Sequence, residues 1–322
     1  MTHTWMLSSG GRRGALVRIL RATPTPGDSR VVVVDASALS AAGHLADEFA
    51  VVPRITDENF ISEVLGHANR SAVDMIVPTL DPELQVYAEA REEIRSKGLD
   101  VLVSTPNVTE LSWDKWKLFR WLRRHGYPTV ETIERADFRP GILTGPVVAK
   151  PRSGSSSVGV FICSDSTQLP FDSLGDDYIV QKHADGVEIT VDFAVGKDGR
   201  FLGAVPRRRL EVRAGEVSKG VTVHLPSVEE LVRDVARDLD GAYGVLNLQL
   251  FYDADSDAMN IIELNARVGG GYPLTHASGA DYFSMLAGGA NVKPPKWKNG
   301  LIMLRFDDAV FVDNDRDAGE FG

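Results

Sequence analysis

Residues 260–270 read NIIELNARVGG, which sets Glu263, Asn265 and Arg267 at every second position. In an extended chain successive side chains point to opposite faces, so these three share one face at a spacing of roughly 6–7 Å. The run 245-VLNLQLFYD-253 repeats the pattern, with Leu246, Leu248 and Leu250 opposite Asn247 and Gln249. Joined by the turn ADSDA, the two runs predict an antiparallel hairpin. One face is oily and includes Ile262 and Leu264; the other presents Gln249, Glu263 and Asn265. One carboxylate plus amide carbonyls, with room for water and phosphate oxygens, is a donor set that Mg²⁺ takes when it is bound together with a nucleotide. Arg267, one step beyond, could neutralise a transferring phosphoryl group. A solvent-facing sheet is the other reading of this pattern, although Asn is depleted from ordinary strands.

Three further stretches carry polar groups in unusual places. In 147-VVAKPRSGSSSVGVFIC-163, Lys150 precedes a Gly/Ser loop that returns into a strand, the reverse of the order in a P-loop, where lysine follows the glycines and opens a helix. Such a hairpin can still close over phosphates, with Lys150 as a fixed cation beside backbone N–H groups. In 178-YIVQKHADGVEITVDF-193 a polar hinge separates two strands, so main-chain groups from Gln181 to Ala184 could read an adenine edge and Glu188 could accept from ribose hydroxyls. The stretch 206-PRRRLEVRAGEVSKG-220 gathers Arg207, Arg208, Arg209, Arg213 and Lys219, either as a solvated hairpin or as arginines that hold a substrate carboxylate.

The elements that must position these groups follow from periodicity. Residues 4–104 alternate apolar runs (TWML, VVVVDA, VDMIVP, LDVLVS) with helical patterns near 12–22, 58–68 and 82–98, the rhythm of a parallel α/β sheet. The first turn, 8-SSGGRRG-14, has Gly10, Gly11 and Gly14 and lacks the G-x-G-x-x-G spacing of a dinucleotide fingerprint. That argues against a nicotinamide-dependent oxidoreductase. Trp116, Phe119, Trp121 and Leu122 fit a helix ending at Gly126, with Pro128 beyond it. From 147 onward strands joined by Gly/Asp turns predict an α+β region, with KDGR as a hairpin turn and a helix at 227–241.

With 322 residues and 43% hydrophobic composition, the chain can bury cores for two or three lobes. A net charge of −10 with no long basic run disfavours a nucleic-acid or anionic-membrane partner and favours small molecules. The lone Cys163 excludes an internal disulfide framework and points to a reducing, cytoplasmic compartment. MTHTWMLSSGGRRG lacks the apolar core of a signal peptide, and no apolar run reaches membrane-spanning length. Neither Cys163 nor the seven histidines form a triad-like pattern, so none receives a catalytic role.

Taken in order, Asp114-Lys115 on a helix, Lys150 before a Gly-rich hairpin, the hinge with Glu188, and NLQLF…NIIELNAR resemble an ATP-grasp enzyme. The resemblance is greatest to the branch of the carbamoyl phosphate synthetase large subunit and the pyrrolysine-pathway amide ligase. It covers nearly the whole chain and implies the ATP-grasp fold, α/β and α+β. Residues 1–104 would form a Rossmann-like pre-ATP-grasp domain, 105–184 the small lobe and 185–322 the large lobe. It implies that Lys115 and Lys150 contact ATP phosphates beneath a flap that includes Ser153, Gly154, Ser155, Ser156 and Gly159. Gln181, Lys182 and Ala184 would hold adenine, Glu188 the ribose, and Gln249, Glu263 and Asn265 the Mg²⁺ ions. Arg267 would steady the transferred phosphoryl group and Arg209 a substrate carboxylate. Many relatives have an acidic residue where Gln249 stands and proline where Ala266 stands. The implied reaction joins a small-molecule carboxylate to an amine through an acyl phosphate, releasing ADP; a non-catalytic ATP-binding sensor is the alternative. A homodimer is compatible with either.

Overall fold

The structure is a computed structural model that describes residues 2–25, 27–154, 158–213, 215–288 and 294–313. Five strands, β1 (His3–Ser8), β2 (Ser29–Asp35), β3 (Glu48–Val51), β4 (Met75–Pro78) and β5 (Asp100–Val101), form a parallel sheet in the order β3-β2-β1-β4-β5. Val31 to Val34 are all fully buried because helices cover both faces, which is why this strand is a continuous apolar run without alternation. The expected strand LDVLVS shrinks to Asp100–Val101, since its partner β4 pairs only at Met75 and Ile76. The helix expected over 82–98 is two, Asp81–Glu89 and Arg91–Ser96, meeting at Ala90. The edge strand β3 is short and half-exposed, so its sequence carries little apolar signal.

Asp114 caps the next long helix, Lys115–His125, by accepting from the amides of Trp116 and Lys117 at 2.9 and 3.1 Å. Gly126 ends that helix in the left-handed region at φ 77°, as the sequence predicts. Then β6 (Thr132–Glu134), β7 (Val147–Pro151), β8 (Phe161–Cys163) and β9 (Tyr178–Lys182) build an antiparallel sheet in the order β6-β9-β7-β8. Alternation divides its faces. Val147, Ala149 and Val180 enter a core with Phe138, Leu143 and Leu174, while Val148, Lys150 and Gln181 point to the other side.

The largest sheet runs β14-β13-β10-β11-β12-β15, from β10 (Val187–Val195), β11 (Phe201–Arg213), β12 (Glu216–Thr222), β13 (Gly244–Asp253), β14 (Ala258–Asn265) and β15 (Ile302–Leu304). One face buries Ile189, Val191, Phe193, Leu246, Leu248 and Leu250 in the same core as Val228, Val232 and Val235 of the helix Pro226–Asp238. The other face is polar in register: Glu263 lies opposite Gln249, Gln249 opposite Thr190, and Thr190 opposite Arg207. A register shift after Gln249 corrects one expectation. Leu250 pairs with Ile261, so Ile262 is a bulge residue. Ile261 and Leu264 are therefore the core residues, and Ile262 turns to the polar side.

Candidate functional site

A cavity of about 460 Å³ lies between the polar face of the large sheet, the outer face of the β6–β9 sheet and the turn after β4. It gathers Lys115, Lys150, Ser153, Gly154, Gln181, Lys182, Ala184, Glu188, Arg209, Gln249, Glu263, Asn265 and Arg267. Gly159 is not in its wall; it packs against Tyr178 and Pro151. Ser155 and Ser156 lie outside the described residues.

Two cations come from the lysine helix and β7. Lys115 Nζ donates to Gly154 O at 2.7 Å, tying the start of the helix to the Gly-rich loop. Arg152 braces the same corner: its fork meets Asp114 at 2.6 and 3.3 Å and Glu134 at 2.6 Å. Lys150 is buried, and burial brings its ammonium down to about 8; Lys115 adds to the fall, while Glu263 and Glu188 oppose it.

The oxygen donors face these lysines with their acceptors uncommitted. Glu263 and Gln249 make no side-chain hydrogen bond among the described residues. Asn265 Nδ2 donates to Asn247 Oδ1 at 3.1 Å, and Asn247 Nδ2 donates to Arg267 O at 3.3 Å. These two bonds orient the Asn265 amide and leave its Oδ1 without a hydrogen bond among the described residues. Thr190 Oγ1 is buried without a partner among the described residues. No group of three or more His, Cys, Asp or Glu side chains suited to a metal occurs among the described residues. A single carboxylate with amide oxygens therefore fits a hard cation that takes its remaining ligands from phosphate and water.

Several expected contacts are already occupied. The amides of Lys182 and His183 donate to Glu131 O and Pro146 O at 2.9 and 2.8 Å, so the hinge is less free than its sequence implied. Ala184 N–H has no partner among the described residues. Gln181 is buried and donates to Thr132 Oγ1 at 2.9 Å. Val148 and Ile162 from the small sheet, with Phe251 and Ile262 from the large one, supply apolar walls of the kind that suit a flat base. Glu188 is ion-paired with Arg209. Arg207 is buried against Asp192 at 2.7 and 2.9 Å, beneath Gly271, where a Cβ would run into its guanidinium. Arg208 is exposed, Arg213 pairs with Asp307 and Lys219 with Glu211, so the arginine cluster divides among different surroundings.

Arg267 has a partner that local sequence patterns do not point to. Its Nε and Nη2 donate to Asp81 Oδ1 and Oδ2 at 2.7 and 2.6 Å, a two-pronged pair that is largely buried. Asp81 opens the helix after β4, and Glu83 accepts from the Thr79 and Leu80 amides beside it. Thr190, by contrast, was accessible to sequence reasoning, because it stands two positions from Glu188 on the same strand face.

Residues 6–102 match the model of the PylC-like N-terminal domain, and residues 112–271 match that of the ATP-grasp domain. A carbamoyl-phosphate synthase of Methanobrevibacter smithii is 24% identical over 254 residues, 73% of this chain and 66% of that protein. A D-alanine–D-alanine ligase of Thermotoga maritima is 29% identical over 163 residues, 44% of this chain and 50% of that protein. The chain thus spans between half and two thirds of these two relatives. Among solved structures, an N5-carboxyaminoimidazole synthetase of Staphylococcus aureus superposes with a TM-score of 0.69 at 15% identity, covering 92% of this chain and 80% of that one. An L-amino acid ligase of Bacillus licheniformis gives 0.66 at 18% identity, covering 88% and 73%.

Proposed function

Because the chain belongs to the ATP-grasp superfamily, we propose that it is an ATP-dependent ligase that joins a small-molecule carboxylate to an amine and forms ADP. The observation that carries this reading is the facing of Lys115 and Lys150 on one wall of the cavity by Glu263, Asn265 and Gln249 on the other. Cations and oxygen donors so opposed suit a polyphosphate between them, with Mg²⁺ held by Glu263, Asn265 and Gln249. Bound there, the metal would supply charge neutralisation at the phosphates.

The chain's own groups then have distinct tasks. Ala184 N–H and the apolar walls would hold the base, and Glu188, braced by Arg209, would meet the ribose. Lys115 and Lys150 would fix the phosphates, and Ser153 with Gly154 would cover them. Arg267 would face the transferring group. The carboxylate oxygen attacks the γ-phosphorus and ADP leaves; the amine nitrogen then attacks the acyl carbon, phosphate leaves and the amine loses a proton. No side-chain nucleophile is needed. Residues 1–104, 105–184 and 185–322 act in this reading as supporting domain, nucleotide-covering lobe and metal-bearing lobe. A cytoplasmic location goes with it, in keeping with a single half-buried thiol; no helix among the described residues is long and apolar enough to cross a membrane.

The test supplies MgATP, a panel of carboxylic acids, and hydroxylamine as a general nucleophile. Ligase chemistry yields acyl hydroxamate and ADP in equal amounts with at least one acid. ADP without hydroxamate would mark a different phosphoryl acceptor, and bound MgATP that never turns over would sink the reading.

A further inference from the structure

A second cavity, of about 750 Å³, adjoins the first and shares Arg13, Leu80, Glu216, Val217, Gly269 and Gly270 with it. It opens at the carboxyl ends of β1 and β4, where the strand order reverses: the chain leaves β1 for β2 on one side and later reaches β4 on the other. In open parallel sheets the crevice at such a switch point is where ligands bind. Its floor is held firmly. Glu83 is fully buried and accepts from Ser8 Oγ and Ser9 Oγ at 2.8 Å each, and Ser9 adopts a positive φ of 53°.

The charge in this crevice is lopsided. Of the arginines that line it, Arg18 pairs with Asp308 at 2.7 Å, Arg213 with Asp307 at 2.9 Å and Arg305 with Glu216 at 2.7 Å. Arg12 and Arg13 have no acidic partner within ion-pair distance among the described residues. Arg13 makes one side-chain hydrogen bond among the described residues, Nη2 to Thr79 O at 3.0 Å, so most of its fork is unused. Burial brings the Arg13 guanidinium down to about 10, with Arg267 adding to the fall and Glu216, Asp81 and Glu83 opposing it. Leu16, Leu45, Pro273 and Phe306 give the cavity apolar walls.

We infer that Arg13 receives the carboxylate of the acid to be activated and that the second cavity holds the rest of that acid, a monocarboxylic acid with an apolar body. This rests on the ligase reading, because the carboxylate must come within reach of the phosphoryl group beside Arg267. Asp81 occupies the fork of Arg267, which leaves Arg13, at the junction of the two cavities, as the cation with N–H donors to spare. A protonated amine would meet two uncompensated guanidinium groups in the same crevice and is disfavoured.

The experiment measures equilibrium binding of hexanoate, 3-phenylpropionate and, as the opposite charge, hexylamine to the full chain, with MgADP binding followed in parallel. Both acids should bind saturably and more tightly than the amine. Arg13→Met should weaken them tenfold or more and leave MgADP affinity within twofold. Ala15→Trp, an exposed site on the wall of the second cavity, should also exclude the acids; it decides the matter if Arg13→Met does not fold. Failure of both acids to bind, tighter binding of hexylamine, or acid affinity unchanged in the folded variants overturns the assignment. Acids that bind as expected but never yield hydroxamate would count against ligase chemistry and leave this site standing. Hydroxamate formation with an acid KM unaltered by Arg13→Met would do the reverse.

Discussion

Glu263 and Arg267 sit two positions apart and should fail in different ways when changed. Glu263→Gln removes a ligand charge at nearly constant shape, so turnover should drop and recover in part at higher Mg²⁺; initial rates against free Mg²⁺ check this. Arg267→Ala should leave MgATP affinity nearly intact and lower turnover roughly 10²–10³-fold, the worth of one preorganised oxyanion donor. Lys150 adds a pH signature. Its folded value of about 8 lies below that of an ordinary lysine, so raising the pH from 7 to 9 discharges it. MgATP affinity should therefore weaken, by up to about tenfold per pH unit above 8. Lys150→Arg keeps its charge throughout and should flatten the profile if it still binds. Nucleotide titrations at pH 7, 8 and 9 decide it, and an affinity flat in the wild type would remove Lys150 from the phosphate site.

The strand β14 shows what alternation reveals and what it hides. Counting by twos correctly puts Asn247, Gln249, Glu263 and Asn265 on one face, because inside the pleat face follows parity, and folding sets Glu263 opposite Gln249 and Asn265 opposite Asn247. It misassigns Ile262, because one unpaired residue changes parity and bulges leave no fixed mark in a single sequence. The consequence is measurable. Ile261→Ala cuts into the core and should cost about 2–5 kcal/mol, whereas Ile262→Ala should cost far less and act instead on nucleotide affinity. Denaturant melts with MgADP titrations separate the two; equal destabilisation would show that the bulge is misplaced. The hinge offers a parallel case. Its polar residues were legible, but that Glu131 O and Pro146 O already take the amides of Lys182 and His183 depends on strands brought together only by folding.

Across the molecule, the ion pair between Asp81 and Arg267 joins the parallel-sheet region to the end of strand β14 over 186 positions of sequence. No local pattern connects them, which is why Arg267 was legible as a candidate and its partner was not. The two side chains are only 10% and 14% exposed, so Asp81→Ala would strand a buried guanidinium and should cost about 3–5 kcal/mol. The exposed pair Arg200–Asp198 serves as the comparison, and Asp198→Ala should change stability by no more than about 1 kcal/mol. Equal melts for the two variants would show that the first pair is no more than a surface contact. The parallel sheet, the helix ended by Gly126 and the β13–β14 hairpin all follow from periodicity and turn chemistry. The crevice at β1 and β4 becomes visible only when strand order is known, since it depends on where the chain reverses and not on any residue run.

The bulge at Ile262 also bears on which changes in chain length the hairpin can absorb. Ala258–Ile261 and Glu263–Asn265 are separate stretches of one strand, each with its own parity, divided by a residue that pairs with neither. An insertion or deletion in the tip at 254–257 can therefore be taken up by re-pairing the outer stretch, and the slip stops before it reaches the oxygen donors. Homologues of different hairpin length should differ at the tip while keeping the two-residue step from Glu263 to Asn265, as a vernier keeps its fine scale when the coarse one slides.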